Sequence, residues 1–128
     1  MLNQLLTSKI DIALAMETAA AEQNWEKFQS FFTKDVFFQV GLSEGTIGTQ
    51  EIVDYVKWMF SIVEPDPPFE FRGTWEMGDT AIIEMDATYI RRIDGKPITF
   101  PCVDAFRFDG DKIQEWRVYP DQSEMWVK

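Results

Sequence analysis

Residues 104–121 decide the fold of this chain and read Asp104-Ala-Phe-Arg-Phe-Asp-Gly-Asp-Lys-Ile-Gln-Glu-Trp-Arg-Val-Tyr-Pro-Asp121. Two runs of alternating apolar and polar side chains, as in strands, flank the turn sequence Asp109-Gly110-Asp111. Upstream, Asp94–Gly95 is a preferred two-residue hairpin turn, because both residue types tolerate a positive φ. The sequence therefore predicts a C-terminal hairpin, Lys96 to Asp121, which helps to enclose a largely apolar pocket.

The rest of the chain predicts helices first and strands afterwards. An alanine-rich helix is expected from about Ser8 to Ala21, a short one follows Asn24, and a third runs from about Thr49 until the prolines after Glu64 end it. A strand around Val36 to Val40 precedes the third helix, and a four-strand meander follows it. This order implies one soluble α+β domain over residues 1–128, with helices on one face of a curved antiparallel sheet.

Composition excludes several functions. The formal net charge is −10 with no basic cluster, which argues against nucleic acid and anionic membranes as partners. The chain has no histidine, the usual metal ligand and catalytic base, so no metal and no cofactor is expected. The single cysteine, Cys102, and the absence of an export signal or membrane-length apolar run favour the cytoplasm.

The quoted ending resembles the nuclear transport factor two-like superfamily, and within it the SnoaL-like polyketide cyclases, ketosteroid isomerase and limonene epoxide hydrolase. It is similar to the family pattern of D-x-F-R-F, a glycine turn, K-I, W-R and a final aspartate. The segment from Trp25 to Val40 adds support, since a second helix there runs into the first strand. The resemblance implies a cone-shaped, curved antiparallel sheet with three N-terminal helices around an apolar pocket.

Counting from the Asp94–Gly95 turn predicts which side chains face that pocket. A two-residue loop pairs Ile93 with Lys96 and therefore Met85 with Asp104, and directly opposed residues share a face. The residues on the face of Asp104 are then Met85, Ala87, Tyr89, Phe100, Cys102, Phe106 and Phe108. Glu84 and Asp86 are expected on the opposite face, unless a bulge changes the parity.

The final strand leaves two alternatives. A three-residue loop would place Trp116 opposite Asp104, whereas a four-residue loop would place Arg117 there. Because the concave face of the sheet is expected to carry apolar side chains, the arrangement in which Trp116 and Val118 face the pocket is favoured. An inward Arg117 would instead neutralise Asp104 as an ion pair and remove it from acid–base work.

Asp104 is the main candidate for chemistry. A carboxyl group in an apolar pocket should have a raised pKa, because desolvation disfavours its charged form. The resemblance implies the same role, since Asp104 matches the neutral aspartic acid in the oxyanion hole of ketosteroid isomerase. Tyr89 is the second candidate catalytic group. The residues predicted to shape the substrate-binding pocket are Met16, Phe38, Val40, Met85, Ala87, Cys102, Phe106, Trp116 and Val118.

The catalytic sets of the relatives are incomplete here. By the resemblance, Val40 occupies the position of the general base of the isomerases, and Met16 or a near neighbour occupies the position of their tyrosine. Val118 occupies the position of an acid in the cyclases. The first hypothesis is an enzyme that performs acid–base chemistry on a small hydrophobic carbonyl compound. The alternative is a noncatalytic module that binds a hydrophobic ligand or forms a homodimer through the outer sheet face. An epoxide hydrolase-like enzyme would require Glu84 or Asp86 inside the pocket.

Overall fold

The helices and strands follow the predicted order. The computed structural model describes residues 8–125, apart from the side chain of Glu124. The helices are α1 (Lys9–Ala21), α2 (Trp25–Gln29) and α3 (Thr49–Ile62), and a 3₁₀ turn spans Ser123–Met125. The strands are β1 (Phe32–Val40), β2 (Thr46–Ile47), β3 (Val63–Pro65), β4 (Glu70–Met77), β5 (Thr80–Arg91), β6 (Pro97–Asp109) and β7 (Lys112–Pro120).

The strands form one strongly curled sheet in the order β2-β1-β7-β6-β5-β3, and β4 pairs with β5 beside β3. The predicted meander from β4 to β7 is antiparallel throughout. The pairing of β1 with β7 is parallel, a feature that the sequence analysis did not predict. The sheet and the three helices give the predicted α+β cone.

The helices present their apolar side chains to the core. The Ser8 hydroxyl accepts a hydrogen bond from the Asp11 amide, and the Asp11 carboxylate accepts one from the Ser8 amide, which satisfies amide groups that the first helical turn leaves unpaired. The buried residues of α1 and α3 are Ala13, Met16, Ala19, Ala20, Ile52, Val53, Val56 and Met59. The backbone of Val63 is already extended and begins β3, so α3 ends shortly before Glu64, where the sequence predicted its end. Over residues 8–125, no helix has both the length and the hydropathy that a membrane crossing requires.

The turn between β5 and β6 is longer than predicted. Arg91 pairs with Lys96 through its backbone, so the connection is Arg92 to Gly95 rather than a two-residue turn. The short turn would need a positive φ at both central residues, but only Gly95 has one. The Asp94 carboxylate accepts a hydrogen bond from the Lys96 amide instead, which stabilises the wider loop.

This correction moves every predicted pair by two residues and leaves the faces unchanged. Asp104 lies opposite Ile83 rather than Met85, and Met85 lies opposite Cys102. Because side chains alternate with a period of two, a shift of two keeps each of them on its predicted face.

The final strand resolves the second alternative. Phe106 lies opposite Trp116 and Asp104 opposite Val118, so Trp116 and Val118 face inward as favoured. The direct pairing of Trp116 with Asp104 was wrong by two positions, because a bulge follows the tight turn at Gly110. Arg117 faces outward, where its guanidinium donates a hydrogen bond of 2.8 Å to the side chain of Gln39. The proposed ion pair between Arg117 and Asp104 is therefore wrong.

Candidate active site

A cavity of about 430 Å³ lies between the helices and the concave face of the sheet. Its wall is mainly apolar and rich in aromatic rings. The aromatic residues that line it are Phe38, Tyr55, Phe60, Phe69, Phe71, Tyr89, Phe100 and Trp116. A volume of this size is typical of sites for small organic molecules.

Asp104 lies at this cavity with only 3% of its surface exposed. The thiol of Cys102 donates a hydrogen bond to Asp104 Oδ1 over 3.4 Å. Burial raises the pKa of Asp104 to about 6, although hydrogen bonds from Glu17 and Cys102, together with the nearby indole N–H of Trp116, oppose part of that effect. The direction of this change is the one that the sequence predicts.

Glu17 is the partner of Asp104, and the sequence analysis missed it. Burial raises the pKa of Glu17 well above its ordinary value, and both the charge of Asp104 and the hydrogen bond to it raise the pKa further. The hydrogen bond thus raises the pKa of Glu17 and lowers that of Asp104, as expected when the protonated Glu17 donates to an ionised Asp104. Two carboxyl groups in contact cannot both ionise cheaply, so they titrate as a pair.

The sequence signal for Glu17 is its place on α1. Leu14, Glu17, Thr18 and Ala21 all line the cavity, and their spacing puts them on one side of the helix. A glutamate in an otherwise small and apolar stripe is the pattern that could have identified it. Glu17 is one residue from Met16, the position that the resemblance aligned with a catalytic tyrosine.

Two aromatic residues complete the surroundings of the carboxyl pair. Tyr89 has a raised pKa, first because of burial and then because of the charges of Glu17 and Asp104, so its hydroxyl keeps its proton. The indole N–H of Trp116 lowers the pKa of Asp104. Its Nε1 atom is nevertheless buried without a partner at hydrogen-bond geometry among the described residues.

Tyr55 and Gln122 add a second polar position that the sequence analysis also missed. Both line the cavity, Tyr55 from α3 and Gln122 from the segment after β7. Burial raises the pKa of Tyr55, and a hydrogen bond with Gln122 partly opposes this effect. The Tyr55 ring also packs edge-on against Phe38, with 5.4 Å between ring centroids.

Both candidate catalytic residues, Asp104 and Tyr89, line the cavity. So do most residues predicted to shape the pocket, namely Phe38, Val40, Met85, Ala87, Cys102, Trp116 and Val118. The prediction was wrong for Met16 and Phe106, which are fully buried in the core and do not reach the cavity. Met16 is turned about 100° around α1 from Glu17, and the Phe106 ring stacks against Trp116 at 5.7 Å.

Glu84 and Asp86 lie outside the cavity. They pair with Val103 and Pro101, on the outer face of the sheet, as the alternation predicted. Asp86 forms an ion pair with Arg72, and this contact lowers its pKa. The epoxide hydrolase-like arrangement that needed one of these acids inside the pocket is therefore wrong.

Comparison with known proteins agrees with the cone fold. The sequence pattern of the SnoaL-like domain matches residues 13–116, so the chain belongs to the SnoaL-like family. Among curated protein sequences, none matches this chain.

Solved structures extend the likeness at the level of the fold. A protein from Shewanella denitrificans that is described as a SnoaL-like polyketide cyclase is 20% identical to this chain. Its TM-score is 0.78 over 91% of this chain and 93% of the other. An epoxide hydrolase of the limonene type from M. tuberculosis is 16% identical, with a TM-score of 0.74 over 92% and 86% of the two chains. An NTF2-like protein of unknown function from Burkholderia pseudomallei is 14% identical, with a TM-score of 0.80 over 93% and 95%. At these identities the likeness establishes the fold and leaves the chemistry to the residues of the cavity.

Proposed function

We propose that this protein is an enzyme that moves a proton on a small, hydrophobic, carbonyl-bearing molecule, with Asp104 and Glu17 as its acid–base pair. The observation that supports this proposal is the contact between two carboxyl groups at the wall of an apolar cavity. One member of such a pair can accept a proton while the other retains one.

The environment divides the roles. Asp104, with a pKa of about 6, is largely ionised at neutral pH and would accept a proton from the carbon next to a carbonyl group. The electron pair of that C–H bond moves into the carbonyl group and gives an enolate. Tyr89, which keeps its hydroxyl proton, would donate a hydrogen bond to the enolate oxygen. Return of the proton to the same or a conjugated carbon completes an exchange or an isomerisation.

The experiment measures exchange of carbon-bound hydrogen for deuterium by NMR, in D₂O, with a panel of hydrophobic ketones that includes 1-phenylpropan-2-one. The protein should accelerate exchange above the buffer rate, and Asp104→Asn should reduce that acceleration by about 10²-fold or more, the usual contribution of a general base. Asp86→Asn is the matched control, because the same change on the outer face should leave exchange unaltered. Equal exchange by the protein and the Asp104→Asn variant would refute the assignment.

Noncatalytic binding of a hydrophobic ligand is the second candidate. It is favoured by Val40 and Val118, which line the cavity where the relatives place a base and an acid. Thermal stabilisation by one class of ketone, without exchange above the buffer rate for any member of the panel, would favour this function.

A further inference from the structure

The charges around the cavity are unbalanced. Glu17 and Asp104 are acidic, and no lysine or arginine is among the described residues that line the wall. A buried carboxylate is costly unless a partner compensates its charge. Within the described lining, only a proton shared with Glu17 and hydrogen bonds from neutral groups provide that compensation.

The wall also presents aromatic rings around the acids. In one group of rings, Tyr89 stacks with Phe100 at 5.7 Å and contacts Phe69 at 5.5 Å, measured between ring centroids. In a second group, Phe38 contacts Trp116 at 5.0 Å and Tyr55 at 5.4 Å. The faces of such rings carry negative partial charge and attract cations, most strongly where water is excluded.

We propose that this cavity binds small hydrophobic cations, with an ammonium group against Glu17 and Asp104 and the apolar part of the ligand against the aromatic wall. The carboxyl pair and the rings attract positive charge together, and the wall would oppose an anion of the same size. The buried, unpartnered Nε1 of Trp116 lies beside the same acids and offers a hydrogen-bond donor to a polar atom of the ligand. This ligand preference goes beyond the proposed reaction, since it holds whether or not the protein is an enzyme.

Two probes of matched shape test the proposal. Benzyltrimethylammonium is a permanent cation, and neopentylbenzene is its uncharged carbon isostere; phenylacetate serves as the anion. Titration calorimetry at about pH 8 should show the cation binding about tenfold more tightly than the isostere, a difference of about 1.4 kcal/mol, since the aromatic faces and the carboxyl pair attract positive charge where water is excluded. Phenylacetate should bind more weakly than either.

The double variant Glu17→Gln/Asp104→Asn should lose most of the preference for the cation and retain the affinity for neopentylbenzene. The double variant Glu84→Gln/Asp86→Asn removes two acids of the outer face and should behave as the unaltered protein. Failure of the unaltered protein to bind the cation, or a preference that survives removal of the two cavity acids, overturns the proposal.

A measurement on the unaltered protein keeps the test independent of how the variants fold. The titratable groups at the cavity are Glu17 from α1, Tyr55 from α3, Tyr89 from β5, and Cys102 and Asp104 from β6. Among them Asp104, whose pKa is raised to about 6, is expected to change charge between pH 5 and 8. A cation that replaces the shared proton should therefore bind more weakly at pH 5 than at pH 8, whereas neopentylbenzene should not. Equal pH dependence of the two probes refutes the placement of the ammonium group. Ketone exchange without cation preference would refute this inference and leave the proposed reaction standing.

Discussion

Replacing Asp104 by asparagine should change how the stability of the fold depends on pH. Asparagine keeps the size of the side chain and can still hydrogen-bond to Glu17 and Cys102, but it carries no titrating proton. In the folded chain the pKa of Asp104 rises from 3.8 to about 6. A rise of roughly two pKa units corresponds to about 3 kcal/mol of unfolding free energy, at about 1.4 kcal/mol for each unit.

The sign follows from where each state releases its proton. Below about pH 4 the carboxyl group is protonated in both states, and the fold keeps its full stability. As the pH rises, the unfolded chain ionises first, so ionisation favours unfolding until the folded group has also lost its proton above about pH 6. The free energy of unfolding of the unaltered protein should thus fall by about 2–3 kcal/mol relative to Asp104→Asn between pH 4 and 8. Loss of the Asp104 charge also lowers the raised pKa of Glu17, which acts in the same direction.

Urea unfolding at a series of pH values measures this difference. Asp86→Asn is the control, and its effect should have the opposite sign. Arg72 lowers the pKa of Asp86, so the unaltered protein gains stability over that variant above about pH 4 and loses the gain in acid. Parallel stability curves for the unaltered protein and Asp104→Asn from pH 4 to 8 would refute the argument that burial raises the pKa of Asp104.

Three further outcomes are expected. Met16→Ala should lower the free energy of unfolding by about 2–5 kcal/mol, because Met16 is fully buried, and should leave the binding of probes to the cavity intact. Unchanged stability in urea would contradict the place of Met16 in the core. The Cys102 thiol should react with iodoacetamide at pH 8 far more slowly in the folded than in the unfolded chain, because burial and the Asp104 charge raise the pKa of the thiol. Equal reaction rates in the two states, measured by mass spectrometry, would contradict this expectation. The homodimer through the outer sheet face stays a prediction. If it forms, Val103→Arg on that face should convert the dimer to a monomer in sedimentation experiments. A dimer whose sedimentation coefficient is unchanged by this substitution would argue against this interface.

The faces of the strands could be predicted from the sequence, but the pairing of individual residues could not. Alternation along β5 and β6 assigns each side chain to a face, and that assignment survives any error of two positions. The pairing depends on the turn, where Asp94 and Gly95 were expected to adopt positive φ together. Only Gly95 does so, because the Asp94 carboxylate is used to hold the Lys96 amide.

The pairing of Glu17 with Asp104 could not be predicted, because it depends on a contact between distant elements. A glutamate on an alanine-rich helix is usually solvated, and its place in a small, apolar stripe indicates a side of the helix but not the residue that it meets. Its significance appears only when α1 packs across the sheet and brings it to Asp104. The resemblance reached the adjacent residue, Met16, but the exact helical position decides whether a side chain faces the core or the cavity.

The energetic cost of the carboxyl pair is itself an argument about function. Two acids that contact each other in an apolar wall lower the stability of the fold at neutral pH, since each disfavours the ionisation of the other. A neutral amide side chain of similar size in place of either acid would avoid that cost and could keep the hydrogen bond between the two positions. A local feature that opposes stability is expected mainly where function requires it. If Asp104→Asn stabilises the protein at pH 8 and also abolishes either ketone exchange or cation selectivity, the lost property is the function that requires the destabilising carboxyl pair.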